Sequence, residues 1–185
     1  MRTNTTMKLT ALAAAMGMLV GGGAFAADTN VASQDVGYQI DEVALISVDG
    51  DPGDLVINTT VDGAAGAILA DDTDASSTWA ITSNKGTNAK KVTAVLTGDM
   101  PAHTELFITL AAPTGAVSEG TGEGENGVSL NTRSTGAKAD AQDVVTGIDP
   151  VAESDKTITY RFSADVEAGV VPRAEAEVTL TLTNT

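Results

Sequence analysis

The sequence predicts an all-β fold, an antiparallel two-sheet β-sandwich in a single domain, and three observations carry that prediction. Apolar and polar residues alternate over short runs, the period of a half-buried strand. Clusters of Gly, Pro, Asn and Asp punctuate those runs at short intervals. No stretch after residue 26 keeps helical apolar spacing long enough for an amphipathic helix. A β-barrel is the second architecture compatible with this pattern.

The alternation is clearest at the C-terminal end. Ile158, Tyr160, Phe162, Ala164 and Val166 fall on every second position, and so do Val178, Leu180 and Leu182. Between them, Gly169 can turn the chain and Pro172 cannot sit in a central ladder. The two runs are expected to form a closing hairpin.

Residues 1–26 read as a secretory signal peptide. Arg2 and Lys8 precede an apolar run over 9–20, and Ala24-Phe25-Ala26 is a small-x-small cleavage site. The run is shorter than the roughly 20 apolar residues a spanning helix needs, so no membrane insertion is expected. The domain is then residues 27–185, and the protein is expected to be secreted, whether extracellular, at the cell surface or periplasmic. The chain has no cysteine, so a sandwich in an oxidising compartment would hold together without disulfides.

Residues 27–35 are small and polar, a leader. Residues 36–48 read as one long strand whose parity breaks: Val36, Tyr38 and Ile40 share a phase, Val43 and Leu45 take the other, and Ile46 and Val48 return to the first. A shift of one residue exchanges the buried and exposed faces, so a bulge or a change of sheet is expected at Asp41-Glu42. Residues 49–54 form a turn, and Leu55, Ile57, Thr59 and Val61 the next strand. Residues 63–77 read as loosely structured, with an apolar patch at Ile68-Leu69. Trp79 and Ile81 mark a strand that pairs, through an Asn84-Lys85-Gly86 turn, with Val92, Ala94 and Leu96 in a hairpin. Leu106, Ile108 and Leu110 make a further strand, residues 114–127 a mobile loop, and 128–130 and 144–148 short strands. The expected total is eight strands.

Charge bounds the partners. The chain carries 25 acidic and 10 basic residues, a net charge of −15. Removing Arg2 and Lys8 with the signal peptide leaves eight basic residues against 25 acidic, a net charge of −17. A surface this acidic repels phosphate backbones, so no nucleic acid is expected as partner. It also repels itself, which salt or divalent cations relieve.

Catalytic chemistry finds no support. His103 is the sole histidine, follows Pro101 in a turn and has no nucleophile-elbow sequence nearby, so no Ser-His-Asp triad is expected. Zinc sites require several His or Cys ligands, which excludes them here. Calcium takes six to eight oxygen ligands, and Asp49, Asp51 and Asp54 crowd one turn that offers carboxylates. Asp71, Asp72 and Asp74 crowd another. Neither run keeps the EF-hand spacing. The expectation is a non-enzyme without cofactors, with calcium at Asp49, Asp51 and Asp54 as the metal candidate.

The run Ile158-Thr159-Tyr160-Arg161-Phe162-Ser163-Ala164, the Ala168-Gly169-Val170-Val171-Pro172 turn and the Val178-Thr179-Leu180-Thr181-Leu182-Thr183 strand resemble the final hairpin of secreted pilin-like β-sandwich subunits of the spore coat U and chaperone-usher fimbrial families. Those families often carry a disulfide, which this chain lacks. A looser similarity is to camelysin-like biofilm fibre proteins and archaeal bundling pili. In such fibres one subunit's terminal strand completes its neighbour's sandwich. The resemblance implies a structural subunit that forms a homo-oligomer or polymer, with residues 27–40 as donor strand and Val36, Tyr38 and Ile40 filling pockets. It also implies an assembly chaperone. The rival expectation is a monomeric periplasmic or extracellular binding module for calcium, glycan or protein.

Overall fold

The computed structural model describes residues 33–84, 88–122 and 126–185. The expected signal peptide, the leader to residue 32 and the Lys85-Gly86 turn lie outside them. The chain divides after Gln39 into two units. In the first, residues 33–39 form neither helix nor strand. The second, Ile40–Thr185, contains every strand among the described residues.

These strands are β1 (Ala44–Asp49), β2 (Asp72–Ser83), β3 (Lys90–Leu96), β4 (Thr104–Leu110), β5 (Val117–Ser118), β6 (Val128–Ser129), β7 (Gln142–Ile148), β8 (Val151–Ala164) and β9 (Val178–Asn184). They make two antiparallel sheets, a five-stranded one ordered β1-β2-β8-β4-β6 and a four-stranded one ordered β5-β7-β3-β9. This is a β-sandwich, as expected. No described helix is long and apolar enough to cross a membrane.

The core follows from the alternation. Trp79 and Ile81 of β2, Val92, Ala94 and Leu96 of β3, and Leu106, Ile108 and Leu110 of β4 are all buried, with their in-between neighbours turned outward. Val144, Val145 and Ile148 of β7 and Ile158 of β8 complete the interface between the sheets. Tyr160 and Phe162, then Val178, Leu180 and Leu182, pack at its margin in the expected phase. Burial of the Tyr160 ring pushes its phenol above the ordinary value.

Pairing departs from expectation. The C-terminal hairpin does not form: β8 lies between β2 and β4 in one sheet, while β9 pairs with β3 in the other. The hairpin expected between β2 and β3 fails in the same way. After β2, every consecutive strand changes sheet. Strands with one apolar face can meet either beside each other or across the core, and here even the two-residue connection between β7 and β8 crosses from one sheet to the other.

Element boundaries moved as well. The 36–48 strand begins only at Ala44, because the Asn84 side chain takes its place at the start. Its Oδ1 accepts from Val43 N–H at 2.8 Å and its Nδ2 donates to the Asp41 carbonyl at 2.7 Å. The strand expected over 55–61 is reduced to an isolated antiparallel bridge, Thr60↔Leu69, and Val56 N–H donates to an Asp72 carboxylate oxygen at 2.6 Å. Conversely, the 63–77 stretch expected to be loose contributes the first half of β2, because the long β8 offers partners as far as Asp72↔Phe162. Within residues 114–127, Val117 and Ser118 pair with β7.

Candidate functional site

Val36, Tyr38 and Ile40 occupy alternate positions and are 76%, 96% and 87% exposed. All three are large apolar residues that the described part of the chain leaves exposed. An exposed Val is ordinary; the almost fully exposed Tyr38 is the one of the three that stands out.

The acidic turn is organised by an arginine. Arg173, from the connection between β8 and β9, grips Asp54 through both carboxylate oxygens at 3.0 Å. That hydrogen-bonded pairing, with the accompanying charge attraction, holds the Asp54 carboxyl below its usual range and raises Arg173. A cation at Asp49, Asp51 and Asp54 would therefore have to displace Arg173 from Asp54. In the second acidic run, Asp74 accepts from Ser76 N–H and Oγ, which lowers its carboxyl too, and Asp71 pairs with Arg161. Both runs are thus engaged in local hydrogen bonds and ion pairs.

Among the described residues, the ligand-type side chains that converge within 4.8 Å are those of His103, Asp165 and Glu167. Sequence separation hid this group. The β4–β8 ladder pairs Thr104 with Ala164, which sets the next pair outward, His103 and Asp165, face to face; Asp165 N–H donates to the His103 carbonyl at 2.9 Å. His103 lies in the expected turn after Pro101, half-buried at φ 63°. One imidazole and two carboxylates are a donor set that divalent ions accept. Asp165 Oδ1, however, already takes Arg133 at 3.0 Å, and that positive charge opposes a cation.

Arg133 belongs to a wider polar cluster. Its Nε donates to Glu105 at 2.8 Å and its Nη2 to Ser163 Oγ at 2.9 Å, while Ser129 Oγ donates to the other Glu105 oxygen at 2.6 Å. Beside it, Arg161 lies 4.0 Å over the Phe107 ring. Arg133, Arg161, Phe107, Ile68 and Leu69 line an open cleft of about 560 Å³. Each guanidinium in the cleft is neutralised by a carboxylate. The cleft therefore presents a mixed polar and apolar wall with little net charge to attract an ion.

No family model matches the chain, and no curated protein or solved structure matches it.

Proposed function

We propose that this protein is a non-enzymatic, exported structural subunit that polymerises into an extracellular fibre, pilus or surface layer by donating its N-terminal strand. The observation that carries this reading is the exposure of Val36, Tyr38 and Ile40 at alternate positions, in a chain whose sandwich has its own core. Strand addition uses such a segment: backbone pairing supplies affinity and alternate side chains supply fit. The contact is heterologous, so each subunit offers a donor and an acceptor and the assembly propagates.

The test is removal of residues 27–40. The truncated chain is expected to remain a folded monomer by size-exclusion chromatography, while the intact exported chain forms thin filaments visible by electron microscopy. Filaments from the truncated chain would overturn strand donation. A second reading, a monomeric binding module, has the 560 Å³ cleft beside Phe107 and Arg161 as its supporting observation. It predicts a monomer whether or not the segment or calcium is present.

A further inference from the structure

The geometry points to a binding site for a divalent transition-metal ion where β4 begins and β8 ends, held by the His103 imidazole and the Asp165 and Glu167 carboxylates and completed by water. The site is independent of strand donation and stands or falls apart from it.

The fold gathers the three side chains. His103 immediately precedes β4 and Asp165 immediately follows β8, and the ladder between those strands brings the two residues together, with Asp165 N–H donating to the His103 carbonyl at 2.9 Å. Past Asp165 the chain enters a 3-10 turn, Val166–Ala168, in which Ala168 N–H donates to the Asp165 carbonyl at 3.1 Å. That turn carries Glu167 back beside Asp165. Each of the three residues offers one ligand atom, and these atoms lie within 4.8 Å of one another. Ligand atoms about 2.1 Å from a common ion stand at most about 4.2 Å apart. Glu167 is exposed on its turn and is the side chain with room to close the difference.

Charge at this point favours a divalent cation in spite of Arg133. The Arg133 Nε donates to Glu105 at 2.8 Å and its Nη1 to Asp165 Oδ1 at 3.0 Å, so two carboxylates share one guanidinium. Glu105, Asp165 and Glu167 together outweigh Arg133 by two negative charges, the deficit that a divalent ion fills. Arg133 engages Oδ1 and leaves Oδ2 as the ligand; a hydrogen bond from outside the coordination shell is the usual means of orienting a ligating carboxylate. Asp165 and Glu167 also line the cleft of about 560 Å³, through which an ion and its waters reach them.

The imidazole sets the class of ion. Calcium and magnesium select oxygen ligands, whereas a nitrogen beside carboxylates suits the divalent ions of the first transition row. One imidazole without thiolates falls short of a closed structural zinc site, so open positions remain for water. The acidic runs 49–54 and 71–74 contain no histidine, and Arg173, Ser76 and Arg161 already engage their carboxylates. An ion bound at His103, Asp165 and Glu167 ties the start of the β8–β9 connection to the start of β4, and the melting temperature should rise with it.

His103 is the sole histidine, so its ring protons report on this site alone. Cobalt(II) chloride is titrated into the full chain and followed by calorimetry, proton NMR and thermal melting, with calcium chloride as competitor. The expected result is saturable uptake of a single ion per chain, paramagnetic shifts of the His103 ring signals and a raised melting temperature, none reversed by calcium at equal concentration. Glu167→Gln should weaken cobalt binding at least about tenfold, the loss that removing even a supporting contact produces. His103→Asn suits the left-handed backbone at φ 63° while removing the imidazole, and should weaken it likewise. The Asp49→Asn, Asp51→Asn double variant removes two acidic charges from the other turn and should bind as the parent does. Cobalt uptake that leaves the ring signals in place, or that weakens equally in the double variant, would assign it to the acidic surface and overturn the site. Unaltered affinity in Glu167→Gln, or no saturable uptake, would also overturn it, and displacement by equal calcium would overturn the class of ion.

Discussion

Val48 and Trp79 stand opposite each other on the same face of the β1–β2 ladder, but only Trp79 is closed off from solvent. Val48 lies on the edge strand β1, whereas Trp79 on β2 is flanked by strands on both sides. The Trp79 Nε1–H and the Ser77 hydroxyl on this strip of β2 are buried without a partner among the described residues. Val48 should therefore matter little to the stability of the sandwich. Val48→Ser is expected to leave the melting temperature of the monomer nearly unchanged. Ile108→Ala, in the sealed part of the core, should instead cost about 2–5 kcal/mol in denaturant unfolding.

Asn131 substitutes for a strand neighbour beside β4. Its Oδ1 accepts from Leu106 N–H and its Nδ2 donates to the Thr104 carbonyl, both at 2.9 Å and buried. Asn131→Ala strands both backbone groups, at about 1–3 kcal/mol each. Asn131→Asp keeps the acceptor, loses the donor and buries a charge, so urea titrations should find it at least as unstable as the alanine variant.

Gly136 sits at φ 74° with the position of a β-carbon 1.9 Å from the Met100 carbonyl oxygen. Backbone must move before any side chain fits there. Gly136→Ala is expected to destabilise by more than the roughly 1–2 kcal/mol that left-handed backbone alone costs. Gly147 has φ 68° and open space at the same position, so Gly147→Ala should show only the smaller conformational cost.

Glu153 links the start of β8 to its surroundings. The hydrogen bond from Lys156, with others from Thr114, lowers its carboxyl to about 2 against an ordinary 4.5. A depressed carboxylate contributes stability fully above its unfolded value and loses it as pH falls through the folded one. The melting-temperature difference between the parent and Glu153→Gln should therefore be complete above about pH 4.5 and vanish near pH 2. A difference that persists at pH 2 would assign it to something other than ionisation.

Self-repulsion should make assembly salt-dependent. With 25 acidic residues against 10 basic ones, bringing subunits together at low ionic strength concentrates like charge. Filament yield should rise with sodium chloride over a range where the monomer's own far-ultraviolet spectrum is constant. Calcium is expected to act the same way at equal ionic strength, unless a specific site adds to it.

Much of this molecule is legible in the amino-acid order. The parity of Val92-Ala94-Leu96 and Leu106-Ile108-Leu110 determined which side chains are buried, because a strand alternates its faces whatever it pairs with. The same parity picks out Val36, Tyr38 and Ile40 at alternate positions. Pairing was not legible. The 158–166 and 178–182 runs read equally well as neighbours or as strands facing each other across the core, and only the competition among all the strands for partners sends β8 to β4 and β9 to β3. The approach of His103 to Asp165 and the grip of Arg173 on Asp54 both depend on that choice. Periodicity is a property of the local chain; sheet order is a property of the whole.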